Sequence, residues 1–393
     1  MGLLFRRLGQ TAVIGEMFAG ILLGPSLLGQ LSPALESRLF PPASLPPLYL
    51  ISQLGVVLFM FVVGMDVDVD RLRRRAKATV FISNAGIVVP FVLGVALSFY
   101  LHDRYAPPGV AYLTFALFIG IAMSITAFPV LARILAERGL KNTDLGNTAI
   151  GCAAIDDVSA WCLLAVALAI GQGHGFVAPL VAVTLTAVVA GIALLLVRPR
   201  ASVLFGVAIT DTVSRGTLLR ALLFLFAAAL STELIGVHAL FGAFVAGVAV
   251  AGADSLREPV RQAIEPLTST LLLPLFFAYA GLRTEVGGLT GEAWVACASV
   301  LLAAVAGKFG AVTFAARFNG FQWRDSVVLG ALMNTRGLME LVVLNIGYDL
   351  GILSAPMYTM MVIMALATTC MAGPVLALVP PSGYAKASAD LAP

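Results

Sequence analysis

Five ionisable residues sit deep inside long apolar stretches of this sequence: Asp156, Asp157, Lys308, Arg336 and Glu340. A charge near the centre of a bilayer costs about 2.5–3.5 kcal/mol on insertion scales, so each must be paired or put to use. Two cations stand against three carboxylates, a sum of minus one. Such a site becomes neutral by taking up either one proton or one monovalent cation, and competition between the two is the chemistry of antiport. Successive helical residues point about 100° apart, so of the adjacent Asp156 and Asp157 one can meet a counter-charge while the other faces a cavity. Lys308 is the natural partner for one of them, and Arg336 and Glu340, four residues apart, can satisfy each other. An intramembrane aspartyl protease is excluded, because neighbours on one helix cannot face each other across a water. Two other readings remain beside antiport: pairs that merely hold helices together, and a passive or gated monovalent cation channel.

Two segments must position these charges. Ser124-Ile125-Thr126-Ala127-Phe128-Pro129 carries a proline that removes a backbone donor, and Asn334-Thr335-Arg336-Gly337 carries a glycine. Interrupted helices free carbonyls and half-helix ends for ion coordination, which makes Asn334, Gly337 and Pro129 expected break positions. At about 1.5 Å per helical residue, Asp157 lies about 18 Å from the cytoplasmic end of its span, Gly337 about 16 Å, Thr126 about 14 Å and Lys308 about 12 Å. All four fall in one layer near the midplane.

Composition agrees with a membrane setting. The chain has 393 residues, 60% hydrophobic and 11% charged, against roughly 25% charged in soluble domains. Window hydropathy marks apolar segments at about 12–29, 48–66, 78–101, 110–135, 145–170, 176–197, 217–236, 238–253, 264–282, 292–316, 326–347 and 355–379. The expected architecture is therefore all-α and integral to the membrane, with about twelve transmembrane helices. Nineteen of the 24 Lys and Arg, among them Arg71, Arg73, Arg74, Arg75 and Lys77, fall on one set of alternate loops, against Arg38, Arg104 and Arg283 on the other. The first set is cytoplasmic by the positive-inside rule, which puts a short C-terminal tail on that side of the cell's inner membrane. A net charge of +3 offers nucleic acid no footprint. Cys152, Cys162, Cys297 and Cys370 lie in apolar runs and imply no disulfide framework. His102, His174 and His238 form no metal-ligand spacing, and nothing calls for a cofactor. The reading is of a transporter and not of an enzyme.

An internal repeat runs through the chain. Leu58 to Val69 aligns without gaps on Leu275 to Val286; Gly15, Ala19 and Gly20 echo Gly242, Ala246 and Gly247; Gly120 to Ser124 echoes Gly330 to Asn334. Spans one, two and four thus pair with eight, nine and eleven. A separation of seven spans is odd, so the copies enter the membrane from opposite sides, the inverted repeat of many secondary transporters. The expected organisation is a first repeat over 1–175, a linker helix and cytoplasmic loop over 176–216, a second repeat over 217–380 and a tail over 381–393. Span seven then lacks a partner before Arg6, where Met1 to Phe5 is too short to span.

With these residues in view, the chain resembles the monovalent cation:proton antiporters of the sodium/hydrogen exchanger superfamily. The resemblance covers nearly the whole chain: Gly15-Glu16 through Gly24-Pro25-Ser26, Met123 through Leu135, Ala154 through Trp161, Gly307-Lys308 and Asn334 through Asn345. It implies a core of crossed, broken helices moving elevator-like against a dimerisation domain, hence a homodimer. It implies that Asp157 carries the cation and the proton, with Asp156 beside it paired to Lys308, so that the monovalent metal ion, Na+ or K+, meets Asp157 and Asp156. The Asp-Asp pair with its lysine is similar to electrogenic sodium/proton members, whereas Asn334 to Leu341 is similar to plant-type exchangers, many of which move potassium. Members usually begin with a further helix, giving thirteen, and many carry a cytosolic nucleotide-sensing domain; neither is read in this sequence.

Overall fold

A computed structural model describes residues 5, 12–67, 76–140, 143–171, 177–206, 213–236, 238–282, 284, 289 and 291–380. The stub around Arg6-Arg7, the basic run Arg71 to Arg75, Lys141, residues 172–176 with His174, Arg283, Gly287-Gly288 and the tail 381–393 lie outside them. All regular structure among the described residues is helical, and each of the twelve apolar segments coincides with helix. Seven of these stretches are long and apolar enough to cross a membrane.

In chain order the principal helices are α1 (Ala12–Leu23), α2 (Leu45–Asp66), α3 (Ala76–Tyr105), α4 (Tyr112–Ser124), α5 (Phe128–Glu137), α6 (Asp144–Gly171), α7 (Val177–Gly191), α8 (Arg215–Ile235), α9 (Ala239–Val250), α10 (Asp254–Leu267), α11 (Leu273–Leu282), α12 (Gly291–Ala304), α13 (Ala311–Phe318), α14 (Trp323–Met333), α15 (Leu338–Asp349) and α16 (Ala355–Leu378). The sixth apolar segment extends further than hydropathy predicts. After α7 the chain keeps winding through a wide π turn at Ile192–Val197 and a tight turn at Arg198–Arg200 into Ala201–Phe205. Pro199 is the second residue of that tight turn, a first-turn position where its missing N–H costs little. Arg198 and Arg200, expected in a loop, therefore lie on continuous helix. Arg215 likewise starts α8, whose end is capped by Ser214 Oγ accepting from Thr217 N at 3.1 Å.

By packing the chain divides into two compact units. One comprises 1–36, 69–160 and 280–393; the other comprises 37–68 and 161–279. This division differs in kind from the expected repeat boundaries, since the stretches 1–175 and 217–380 each contribute helices to both units.

Within the second unit, α2 and α9 cross at glycines. A Cβ on Gly64 would lie 2.1 Å from Phe244 O, and one on Gly247 would lie 2.1 Å from Phe61 O. Backbone meets backbone there, the small-residue packing that membrane helices use where water supplies no driving force. The end of α2 is held by charge: Arg257 donates to Asp66 O at 3.1 Å, and Arg261 lies 3.4 Å from the Asp66 carboxylate. A leucine at Gly64 cannot be accommodated by side-chain movement. Gly64→Leu is expected to abolish recovery of a monodisperse protein, read by size-exclusion chromatography in detergent, whereas Gly291→Leu, with open space around it, keeps a monodisperse peak.

The first unit is built on α3. A Cβ on Gly94 would come 2.8 Å from Gly120 Cα on α4, and one on Gly307 would come 2.9 Å from Pro90 Cα on α3. The stretch between α12 and α13, Val305–Gly310, winds as a π turn instead of an α turn. Such turns occur often at functional sites, and Lys308 is on this one.

Candidate functional site

Both predicted interruptions are present in the first unit. Helix α4 ends at Ser124 and α5 resumes at Phe128; α14 ends at Met333 and α15 resumes at Leu338. Asn334 and Gly337 bracket the second break. Pro129 differs from expectation. It does not interrupt a helix; it is the second residue of α5, a first-turn position where the absent donor has no helical partner to lose. The break itself is Ile125-Thr126-Ala127.

The two breaks cross. Ala127 N donates to Thr335 O at 2.9 Å, and Thr126 Oγ1 lies 3.0 Å from Met333 O. Gly337 permits the approach, since a Cβ there would sit 3.0 Å from the Val130 side chain. Arg336 ties them further, donating to Ala122 O at 3.0 Å and Met123 O at 2.6 Å. These carbonyls belong to the last turn of α4, which has no intrahelical donors for them and carries the negative end of the helix dipole. A guanidinium is well placed there. Arg336 N in turn donates to Thr369 Oγ1 of α16 at 2.7 Å.

Lys308 and Asp156 meet beside this crossing. Lys308 Nζ lies 2.9 Å from Asp156 Oδ2, with both side chains wholly buried. It also donates to Ser124 O, the final carbonyl of α4, and to Gly86 O at 3.2 Å. The Gly86 carbonyl is available for a reason legible in the sequence: its helical donor would be the N–H four residues on, and that residue is Pro90. Three ammonium hydrogens thus meet three acceptors on three segments. Asp156 is satisfied on both oxygens, Oδ1 by Ser83 Oγ at 2.5 Å and Oδ2 by Lys308 and by Thr126 Oγ1 at 2.6 Å. Thr126 has one hydroxyl proton and two neighbouring acceptors, Asp156 and Met333 O, and donates to one at a time.

Asp157 is the contrast. It is 1% exposed, and neither of its carboxylate oxygens has a hydrogen-bond partner among the described residues. Asn334 Oδ1 is also buried without a partner among them. Arg336 and Glu340 pair loosely, at 3.5 Å, with both side chains wholly buried. The structure therefore gathers Asp156, Lys308 and Thr126 into one network and joins it through the crossed breaks to Arg336 and Glu340. Asp157 is left bare at the next residue.

Sequence reasoning missed three participants. Ser83 is a small polar residue in an apolar span; with Thr79 it marks, at i and i+4, a polar stripe that could have been noticed. Thr369 gives no signal, because hydroxyls bonded to their own helix are common in such spans. The π turn at Lys308 has no sequence signature.

A membrane protein in which two interrupted helices cross beside a buried carboxylate-lysine pair has the architecture of an ion-coupled secondary transporter. The sodium/hydrogen exchanger transmembrane pattern matches residues 1–379, and the chain belongs to that family. Its relatives are cation/proton antiporters. It is 42% identical over 387 residues to the Na(+)/H(+) antiporter NhaS4 of Synechocystis sp., covering 97% of this chain and 94% of that protein. It is 39% identical over 402 residues to Cation/H(+) antiporter 17 of Arabidopsis thaliana and 32% identical over 392 residues to K(+)/H(+) antiporter 1 of Saccharomyces cerevisiae. Those matches cover 99% and 97% of this chain but only 48% and 45% of the relatives, so the chain spans about half their length. The fold is that of the sodium proton antiporter MjNhaP1 of Methanocaldococcus jannaschii, with a TM-score of 0.67 at 13% identity over 96% of this chain and 92% of that one.

Proposed function

We propose that this chain exchanges protons for a monovalent cation, Na+ or K+, and that Asp157 carries each in turn. The observation that supports this reading is the asymmetry of the acidic pair: Asp156 has every oxygen satisfied, whereas Asp157 is equally buried and has neither oxygen satisfied among the described residues. A bare carboxylate in low dielectric is costly, and either positive species relieves it. The arriving cation trades water for this carboxylate and for oxygens of the crossed breaks, with Thr126 and Asp156 at the site's edge. Lys308 and Arg336 are fixed counter-charges that keep the empty site close to neutral, and Glu340 answers Arg336.

Alternating access is elevator-like on this reading: the unit that carries all five charges shifts while the other, serving homodimer formation, stays. The concentration of the charges in one compact unit supports this. The repeats over 1–175 and 217–380, joined by the 176–216 linker, supply the inverted symmetry of the two access states. The protein works in the cytoplasmic membrane with its C-terminal end in the cytoplasm. Relatives named for sodium and for potassium support either ion. Purified protein in liposomes, given an imposed pH gradient, is expected to accumulate Na+ or K+ against its concentration gradient, with Li+ as a third probe. Cation flux that only runs downhill and ignores the proton gradient would make the protein a passive channel.

A further inference from the structure

Two buried threonines stand side by side on α16 and bond differently. Thr368, 1% exposed, keeps its hydroxyl on its own helix, 2.8 Å from Met364 O and 3.1 Å from Ala365 O. That is the ordinary habit of a hydroxyl in an apolar helix. Thr369, 3% exposed, also reaches off the helix: its Oγ1 accepts from Arg336 N at 2.7 Å and meets Arg336 O, while Ala365 O lies 2.8 Å away. One hydroxyl therefore engages both backbone polar groups of a single residue. Within an α-helix a residue's N–H and C=O point opposite ways along the axis, and only in extended chain do they turn to the same side. Thr369 thus grips Arg336 in the non-helical form that it has between α14 and α15.

We infer that Thr369 is a positioning residue for the cation: by holding the second break extended, it sets the oxygens of the crossed breaks and the Arg336 guanidinium where the site needs them. The proposal rests on the exchange reading above. Arg336 is wholly buried, so its N–H must find an acceptor. The helical acceptor would be Leu332 O, which already receives Thr335 N at 3.1 Å and Thr335 Oγ1 at 2.7 Å. Without the Thr369 hydroxyl, the chain's own remedy is to wind on into helix. That closes the break, drawing Thr335 O away from Ala127 N and the guanidinium away from Ala122 O and Met123 O. Helix α16 suits the task, because it runs continuously from Ala355 to Leu378 and packs against both α14 and α15. The proposed repeat supplies a parallel. The register that sets Gly120 against Gly330 sets Thr126 against Arg336, and span five against span twelve. Asp156 on α6 meets Thr126 of the first break, as Thr369 on α16 meets Arg336 of the second. Each break is gripped by a polar side chain of the following span, and the second grip adds no charge.

Transport in liposomes under an imposed pH gradient, with Na+ or K+ as the probe, tests this. T369V keeps the shape of the side chain and removes the hydroxyl. It is expected to raise the apparent cation constant about tenfold or more, the effect of one unmet buried N–H, with a maximal rate within about twofold of the unaltered protein. T369S, which keeps the hydroxyl, and T368V are expected to show the unaltered constant. A substitution that merely lowers the amount of folded protein reduces the maximal rate and leaves the constant of the surviving molecules as it was. An unchanged constant in T369V, or an equal rise in T369S or T368V, overturns the proposal. If T369V is not recovered folded, T369C takes its place: its thiol is a weak acceptor, so a raised constant is expected and an unchanged one overturns the proposal. Failure of the exchange reading is distinguishable, because the unaltered protein would then take up no cation against its gradient, and this proposal would fall with it.

Discussion

Asp157→Asn is expected to abolish proton-driven cation uptake, to the level of protein-free liposomes, while making the protein more stable. The two effects have one origin. The carboxylate is buried at 1% exposure with no partner on either oxygen among the described residues, so its negative charge is a burden on the fold, relieved on the proposed mechanism only when a proton or cation arrives. An amide has the same shape and no charge to be neutralised. Leaving a buried charged group unsatisfied costs about 1–3 kcal/mol or more, and the variant recovers an amount of that order, read as a rise in thermal midpoint in detergent. A functional site that opposes stability in this way is common among proteins. Asp156→Asn is expected to show the opposite sign in stability, since that carboxylate answers Lys308, Thr126 and Ser83. Retained exchange in Asp157→Asn would remove this residue from the mechanism, and a loss of stability on the same substitution would mean that its charge is satisfied.

Lys308→Ala carries the largest expected loss of stability. Truncation leaves Asp156 Oδ2, Ser124 O and Gly86 O without their shared donor, all within the buried core of the first unit. Breaking one partner of a buried ion pair costs about 3–5 kcal/mol, because the surviving charge is stranded. Lys308→Gln is milder: its amide can still donate, and its main effect falls on coupling. Combining Lys308→Met with Asp156→Leu removes both charges and is expected to recover much of the lost stability, although not transport. A double-mutant cycle on thermal or denaturant midpoints measures this, and additive losses would show that the two residues do not act as a pair.

Much of this arrangement could be read from residue types alone. Charges in apolar runs are conspicuous because the bilayer makes them expensive, so Asp156, Asp157, Lys308, Arg336 and Glu340 announce themselves. The breaks were legible from Gly337 and the repeat relation between the two segments, but the first was placed slightly late. Proline marks where a helix can start as well as where it must stop, and only the structure distinguishes the two for Pro129. Helix ends beyond span six were misjudged because hydropathy reacts to Arg198 and Arg200, whereas backbone winding does not. The helper groups were the hardest to see. Ser83 and Thr369 act through one hydroxyl each, and a hydroxyl in a membrane helix bonds its own backbone so often that its type carries little information. The Gly86 carbonyl is a backbone atom, recoverable from sequence only by asking what Pro90 leaves undone.

The wide turn at Val305–Gly310 has a consequence for how this span tolerates change in length. A π turn winds an additional residue into the same rise, so the faces of α12 and α13 are out of phase with those of an unbroken α-helix by roughly one residue, or about 100°. Deleting a single residue from that turn would let the backbone relax into ordinary α-helix, lipid-compatible and unstrained. The ammonium, however, would swing to another side of the helix and leave its three oxygens behind. The span would still cross the membrane, yet Asp156 would be stranded much as in Lys308→Ala, and the loss would surface in the packing of its unit and not in insertion.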